Sequence, residues 1–132
     1  MKYKSVIVPA RGGPEVIEIV EKELAAPGVG KVVVRILAAP LTQDDVAVRA
    51  GNRPWLADVP FVPGYSILGI VDEIGDGVSR VAVGDRVVAL TNFGGHAEYI
   101  TLPEENLVHV PQSLDAAEAV VLLLNYLVAY QI

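Results

Sequence analysis

Cysteine is absent from the 132 residues. No disulfide, thiolate nucleophile or Cys-ligated zinc site can therefore form. A reducing compartment is compatible with this lack. Positive charge is also scarce: ten Lys and Arg, scattered singly, stand against 16 Asp and Glu, for a net charge of −6. That balance gives no basic footprint for nucleic acid and no polybasic lipid site. A long hydrophobic run is missing too. The longest apolar stretch, residues 119–132, is broken by Asn125 and Gln131 and is shorter than the ~20 residues of a spanning helix. The start has too short an apolar run before Pro9 for a secretory signal. A soluble, cytoplasmic protein is expected. Hydrophobic residues make up 52% and charged residues 20%, which excludes intrinsic disorder. The length suits about one domain with one core.

Turn formers are plentiful. Twelve glycines and nine prolines punctuate the chain at short intervals, the rhythm of a β-rich domain. Strands are expected at residues 2–8, 16–22, 31–39, 67–74, 86–90, 97–102 and 107–110. Val32-Val33-Val34 implies burial on both faces of the third. Thr42 is placed to cap a helix whose first turn holds Asp44 and Asp45, where carboxylates favour the dipole. Gly51 is placed to end that helix in a left-handed turn. Pro54, Pro60 and Pro63 hold an extended loop carrying Trp55 and Phe61. Asp115 and Glu118 have capping-box spacing before an apolar, helix-forming tail. A helix apolar all round is expected to be buried on all sides. The run reaches Ile132 without a cap, so the chain reads as a piece whose missing part covers Leu122, Leu123, Leu127 and Tyr130. A C-terminal helix docked on its own domain is the simpler alternative.

Motifs taken singly carry little chemistry. Gly75-Asp76-Gly77 follows a strand, but its third glycine is replaced by Arg80 and no helix follows to hold a pyrophosphate. A hairpin turn is the better reading. His96 and Glu98 are two apart on an expected strand and would share a face, yet no third metal ligand accompanies them. Asp44 and Asp45 are adjacent on a helix and do not face each other as an acid–base pair. No nucleophile elbow is present.

Taken in order, the motifs become specific. Pro60-Phe61-Val62-Pro63-Gly64-Tyr65-Ser66-Ile67-Leu68-Gly69-Ile70-Val71 is followed by Gly75-Asp76-Gly77-Val78 and Val83-Gly84-Asp85-Arg86-Val87. Gly94-Gly95-His96-Ala97-Glu98-Tyr99 and Asn125-Tyr126-Leu127-Val128-Ala129-Tyr130 complete the series. The chain thereby resembles medium-chain dehydrogenase/reductases over essentially its whole length. Gly12-Gly13-Pro14-Glu15-Val16 is similar to their quinone oxidoreductase branch. The resemblance implies a GroES-like, partly open β-barrel over residues 1–114, the catalytic domain. It implies that residues 115–132 lead toward a Rossmann domain absent from this chain.

Departures from the family pattern bear on chemistry. Zinc-dependent relatives carry a catalytic Cys where Thr42 stands and Gly-His-Glu where Gly64-Tyr65-Ser66 stands, so zinc is not expected. Quinone oxidoreductase relatives commonly carry Asn at the Thr42 position, Tyr near Ala47 and Thr at Val128. The implied activity is hydride transfer from NADPH, or else NADH, to a small-molecule acceptor such as a quinone or conjugated enone. The cofactor supplies the chemistry and the protein supplies position and dryness. The resemblance assigns Thr42 and Tyr65 to catalysis. Thr42, Asn125 and Val128 go to the cofactor side, and Tyr65 and Phe93 to the substrate wall. Cap, turn and core packing would explain the same residues. The isolated chain is expected to be inactive and to bind NADPH weakly at most. The competing expectation is a stand-alone GroES-like binding or assembly module that buries its tail in a homodimer or partner. A segment of a multidomain enoyl reductase is a third.

Overall fold

The structure is a computed structural model that describes residues 1–126, 129 and 130, the side chains of Leu124 and Tyr126 excepted. It is mainly β. Strands β1 (Lys2–Ile7) and β2 (Glu18–Glu23) form an antiparallel ribbon. Five further strands follow: β3 (Lys31–Ala38), β4 (Ser66–Ile74), β5 (Arg86–Leu90), β6 (Tyr99–Pro103) and β7 (Val108–His109). They form one antiparallel sheet in the order β6-β3-β4-β5-β7. Helix α1 is Gln43–Ala50, and helix α2, Ala116–Val121, continues into a π-type turn at Leu122–Tyr126.

Ribbon and sheet are joined by residues 96–98. The Val6 N–H donates to the His96 carbonyl (2.9 Å) and the Glu98 N–H to the Lys4 carbonyl (3.0 Å), while the Ile36 N–H donates to the Glu98 carbonyl (2.9 Å). This short stretch closes one side and leaves the barrel partly open. Its interior is filled by Val32, Val34, Ile67, Val71, Val87, Ala89, Leu102 and Leu107. Leu68 and Val88 point the other way and pack against Ala119 and Val120 of α2. A sheet covered on both sides explains why Val32, Val33 and Val34 are all fully buried. Each such side chain contributes about 2 kcal/mol of apolar burial.

Several elements differ from the sequence expectation. Val16 lies in a short 3-10 turn (Pro14–Val16), because Pro14 opens a turn that β2 can follow only from Glu18. Ala97 makes a single bridge to Ser5, and regular pairing begins at Tyr99, so His96 and Glu98 do not share a regular strand. Gly75-Asp76-Gly77 does turn the chain, but β4 pairs with β5 only up to Ile70–Arg86, so no tight hairpin forms. The glycines there serve turn-to-turn packing. A Cβ on Gly75 would stand 1.9 Å from the Gly28 carbonyl oxygen. The tail is likewise not buried on all sides. Ala119 and Val120 are buried, whereas Val121, Leu122 and Tyr130 face outward. One layer of sheet covers one helix face. Among the described residues no helix is long and apolar enough to cross a membrane.

Candidate functional site

Thr42 caps α1 as its spacing implied, and Gly51 ends the helix at φ 88°. The cap is reciprocal. The Asp45 N–H donates to Thr42 Oγ1 (3.3 Å), and the Thr42 N–H donates to Asp45 Oδ2 (2.9 Å). The Thr42 hydroxyl also donates to Asp45 Oδ2 (3.0 Å). Its proton is therefore committed, and what it offers a ligand is one remaining lone pair.

Asp45 is the functional-site residue that sequence reasoning underrated. Its side chain is 4% exposed. Its second oxygen, Oδ1, accepts the Gly64 N–H (3.0 Å). One carboxylate thus ties the start of α1 to the segment carrying Tyr65. His96 approaches it to 4.0 Å, but its Nε2 contacts the Pro40 carbonyl at 3.0 Å, where it must carry the proton. A signal did exist: the Thr-x-x-Asp spacing predicts the box. Nothing local predicts a partner 19 residues away.

The Gly64 turn is fixed by close backbone approach. Gly64 has φ 120°, and a Cβ there would lie 2.4 Å from Gly95 Cα and His96 N. The Thr91 hydroxyl donates to the Gly64 carbonyl (2.5 Å), and the Thr91 and Asn92 N–H groups donate to the Tyr65 carbonyl (2.8 and 3.1 Å). These bonds set Tyr65 against Phe93, ring centroids 6.1 Å apart, and Phe93 packs edge-on to Phe61 at 5.8 Å. The two residues assigned to the substrate wall are therefore brought together. Burial raises the Tyr65 phenol above its ordinary value; Asp44 adds to the rise, Arg53 opposes it and Asp45 adds a smaller rise. Asp44 holds Arg53 in an ion pair at 2.6 Å.

The structure also brings Thr42 and Asn125 to the same cleft. They line one cleft of about 500 Å³ between residues 40–44 and the α2 side, with Leu41, Val120 and Val121 as apolar wall. That volume and its mixed lining suit a planar organic ring with a polar substituent. Val128 lies outside the described residues, as does Leu127. Among the described residues no three His, Asp or Glu side chains cluster to hold a metal ion. Glu98, paired with His96 in the sequence, instead accepts the Lys4 N–H (2.6 Å).

A partly open antiparallel barrel with a capped helix beside a glycine-pinned turn defines the GroES-like class of domain. The chain belongs to the alcohol dehydrogenase GroES-like domain family, which residues 28–112 match. It is 32% identical over 129 residues to the human synaptic vesicle membrane protein VAT-1 homolog-like, covering 98% of this chain and 31% of that protein. It is 37% identical over 123 residues to a quinone oxidoreductase of Pseudomonas aeruginosa, covering 92% of this chain and 38% of that one. The crystal structure of the human VAT-1 homolog-like protein superposes with a TM-score of 0.92 at 32% identity, over 98% of this chain and 42% of that one. The Escherichia coli quinone oxidoreductase complexed with NADPH gives 0.81 at 26% identity, over 88% and 36%. The chain spans about a third of the length of the curated relatives it matches.

Proposed function

We propose that this chain is the catalytic domain of a cytoplasmic NADPH-dependent oxidoreductase that reduces a quinone or conjugated enone. The observation that carries the reading is the cleft lined by both Thr42 and Asn125, with Asp45 linking Thr42 to the Tyr65 segment. Relatives named as quinone oxidoreductases, one of them in complex with NADPH, support it. Thr42 and Asn125 are the residues of this cleft that would hold NADPH, and when bound it would supply the hydride that, with a proton, reduces the acceptor. Thr42 and Asn125 would hold the nicotinamide side, and the Thr42 oxygen can accept from its carboxamide. Tyr65, which packs on Phe93 and is tied to the cleft through the Gly64 bond to Asp45, would donate a hydrogen bond to the acceptor's carbonyl oxygen. Leu41, Val120 and Val121 form the apolar wall that would exclude water from the cleft, and Phe93 backs Tyr65. Thr42, Tyr65 and Ser66, at positions where zinc-dependent relatives carry ligands, support a zinc-free reaction.

The two α-helices start from Thr42 and Asp115 and not from a glycine loop, which supports a second domain as the holder of the pyrophosphate. The open α2 face, with Val121 and Leu122 outward, is where we place it. Two measurements test this. The protein made by its source should have an intact mass well above 14.0 kDa and should oxidise NADPH when a quinone is added. The isolated chain should show no micromolar NADPH binding by fluorescence. A source protein of 14.0 kDa, dimeric and without turnover, would instead identify a stand-alone binding module.

A further inference from the structure

We propose that Arg53 is a further catalytic residue, whose guanidinium stabilises the negative oxygen that forms on the acceptor beside Tyr65. This rests on the oxidoreductase reading above. Hydride addition to a conjugated C=C–C=O group forms a C–H bond at the far carbon. The C=C pair moves toward the carbonyl carbon, and the C=O pair stays on oxygen as an enolate. The enolate oxygen then takes the proton of the Tyr65 hydroxyl, which water restores. A donor aimed at that oxygen before it becomes charged lowers the barrier, and a guanidinium does so more strongly than a neutral donor.

The fold holds Arg53 in place from both sides. Helix α1 ends at Gly51, and the Asn52 N–H donates back to the Ala47 carbonyl (3.0 Å). The Arg53 carbonyl accepts the Leu56 N–H (3.1 Å), which closes a turn with Pro54 in its second position. From this anchor the side chain reaches back to the first turn of α1, where Nη1 donates to Asp44 Oδ1 (2.6 Å). Asp44 lines the cleft together with Thr42. The next residue, Asp45, binds the Thr42 hydroxyl and the Gly64 N–H. Cleft, Arg53 and the Tyr65 segment therefore converge on one turn of helix. The Tyr65 phenol is acted on by burial, then by Asp44, Arg53 and Asp45, and Arg53 is the cation of that group.

The other arginines around α1 are spent on backbone. Arg11 donates to the Val48 and Ala57 carbonyls, and Arg49 to the Gly12 carbonyl. Arg53 is half-exposed, and among the described residues its Nε and Nη2 donors have no hydrogen-bond partner. An ion pair as open as this adds little stability by itself. It does suit a neutral acceptor that becomes charged. Asp44 balances the guanidinium while the acceptor is neutral and fixes the plane of the fork, leaving its other edge to the oxygen. Asp44 is on this reading a positioning residue.

The test uses the protein made by its source and para-nitrophenol, whose coloured phenolate stands in for the enolate oxygen. The protein should bind the phenolate more tightly than the neutral phenol, so that the bound probe ionises at lower pH than the free one. Arg53→Met, with unchanged circular dichroism, should reduce this preference about tenfold, and Arg53→Lys should keep part of it. Tyr65→Phe should weaken it as well. Arg80→Met, on the connection between β4 and β5, should leave it unchanged, which separates a local contact from an effect of net charge. In turnover with NADPH and an enone, Arg53→Met should lower kcat about tenfold and leave KM nearly unchanged. A wild-type protein without phenolate preference, a preference that survives Arg53→Met or ignores Tyr65→Phe, or an unchanged kcat would overturn the proposal. NADPH oxidation by that same protein would leave the oxidoreductase reading standing. A preference lost in both variants of a protein that does not oxidise NADPH would uphold the oxyanion site and remove the oxidoreductase reading.

Discussion

At Asp45 a single buried carboxylate receives three hydrogens, from the Thr42 N–H, the Thr42 hydroxyl and the Gly64 N–H. Removing it leaves two backbone donors and a hydroxyl without their acceptor in a dry place. Asp45→Ala should lower the unfolding free energy by about 3 kcal/mol, read as a reduced urea midpoint with an unchanged slope. An exposed capping residue would lose about 1 kcal/mol, and a value that small would reduce Asp45 to a cap. The opposite sign is expected at Ser66. Its hydroxyl is fully buried and has no hydrogen-bond partner among the described residues. Ser66→Ala should raise stability by about 1 kcal/mol, and a loss of that size in thermal melts would mean the hydroxyl is satisfied. The two residues differ in how far the sequence disclosed them. Thr42 and Asp45 show their spacing openly, but their depth depends on the Gly64 turn folding back over α1. Ser66 looks like any polar residue at the start of a strand, and only its burial in the folded sheet makes it an orphan.

Elements here are held by long-range clamps that periodicity does not reveal. The Arg11 guanidinium donates to the Val48 carbonyl at the end of α1 (2.6 Å) and to the Ala57 carbonyl, and lies 5.8 Å from the centre of the Phe61 ring. It thus neutralises the negative end of α1 and pins the loop that carries Trp55. Arg11→Ala should cost about 2 kcal/mol and should speed proteolysis within residues 52–60. Unchanged cleavage there would show that the prolines alone order the loop. Arg86 pins the segment ahead of α2, donating to the Pro111 carbonyl (2.8 Å) and to the Leu114 carbonyl. Strand alternation and caps were legible element by element: β3, α1, β4 and β5 lie within a residue of their expected bounds. The bulge at Leu37 and the late start of β6 were not, because both arise from what the neighbouring strands allow.

At the scale of the whole molecule, carboxylates outside the core hold distant segments together, and this sets the response to pH. Glu104 accepts the Ser79 (3.0 Å) and Arg80 (2.8 Å) N–H groups, which hold its carboxyl below the usual range. Asp85 is also lowered, first by the Ala82 N–H and then by the His109 contact at 3.0 Å. A carboxyl whose folded pKa is depressed adds stability that is fully present above its unfolded pKa and is lost as pH falls through the folded one. Tyr65 has the opposite sign: its raised phenol adds stability below the unfolded value, lost as pH rises through the folded value. The urea midpoint should therefore form a plateau at neutral pH, falling on the acid side below the ordinary carboxylate range and on the alkaline side above the ordinary tyrosine value. Glu104→Gln and Asp85→Asn should lower the plateau and flatten the acid limb, while Tyr65→Phe should flatten only the alkaline limb. An acid limb unchanged in the Glu104→Gln, Asp85→Asn double variant would mean that these contacts do not outlast solvent competition. The connection between β4 and β5 would then be held by its backbone bonds, the Gly75 N–H to the Lys31 carbonyl (2.8 Å) and the Gly30 N–H to the Asp76 carbonyl (2.8 Å), and by the packing of Gly75 against Gly28.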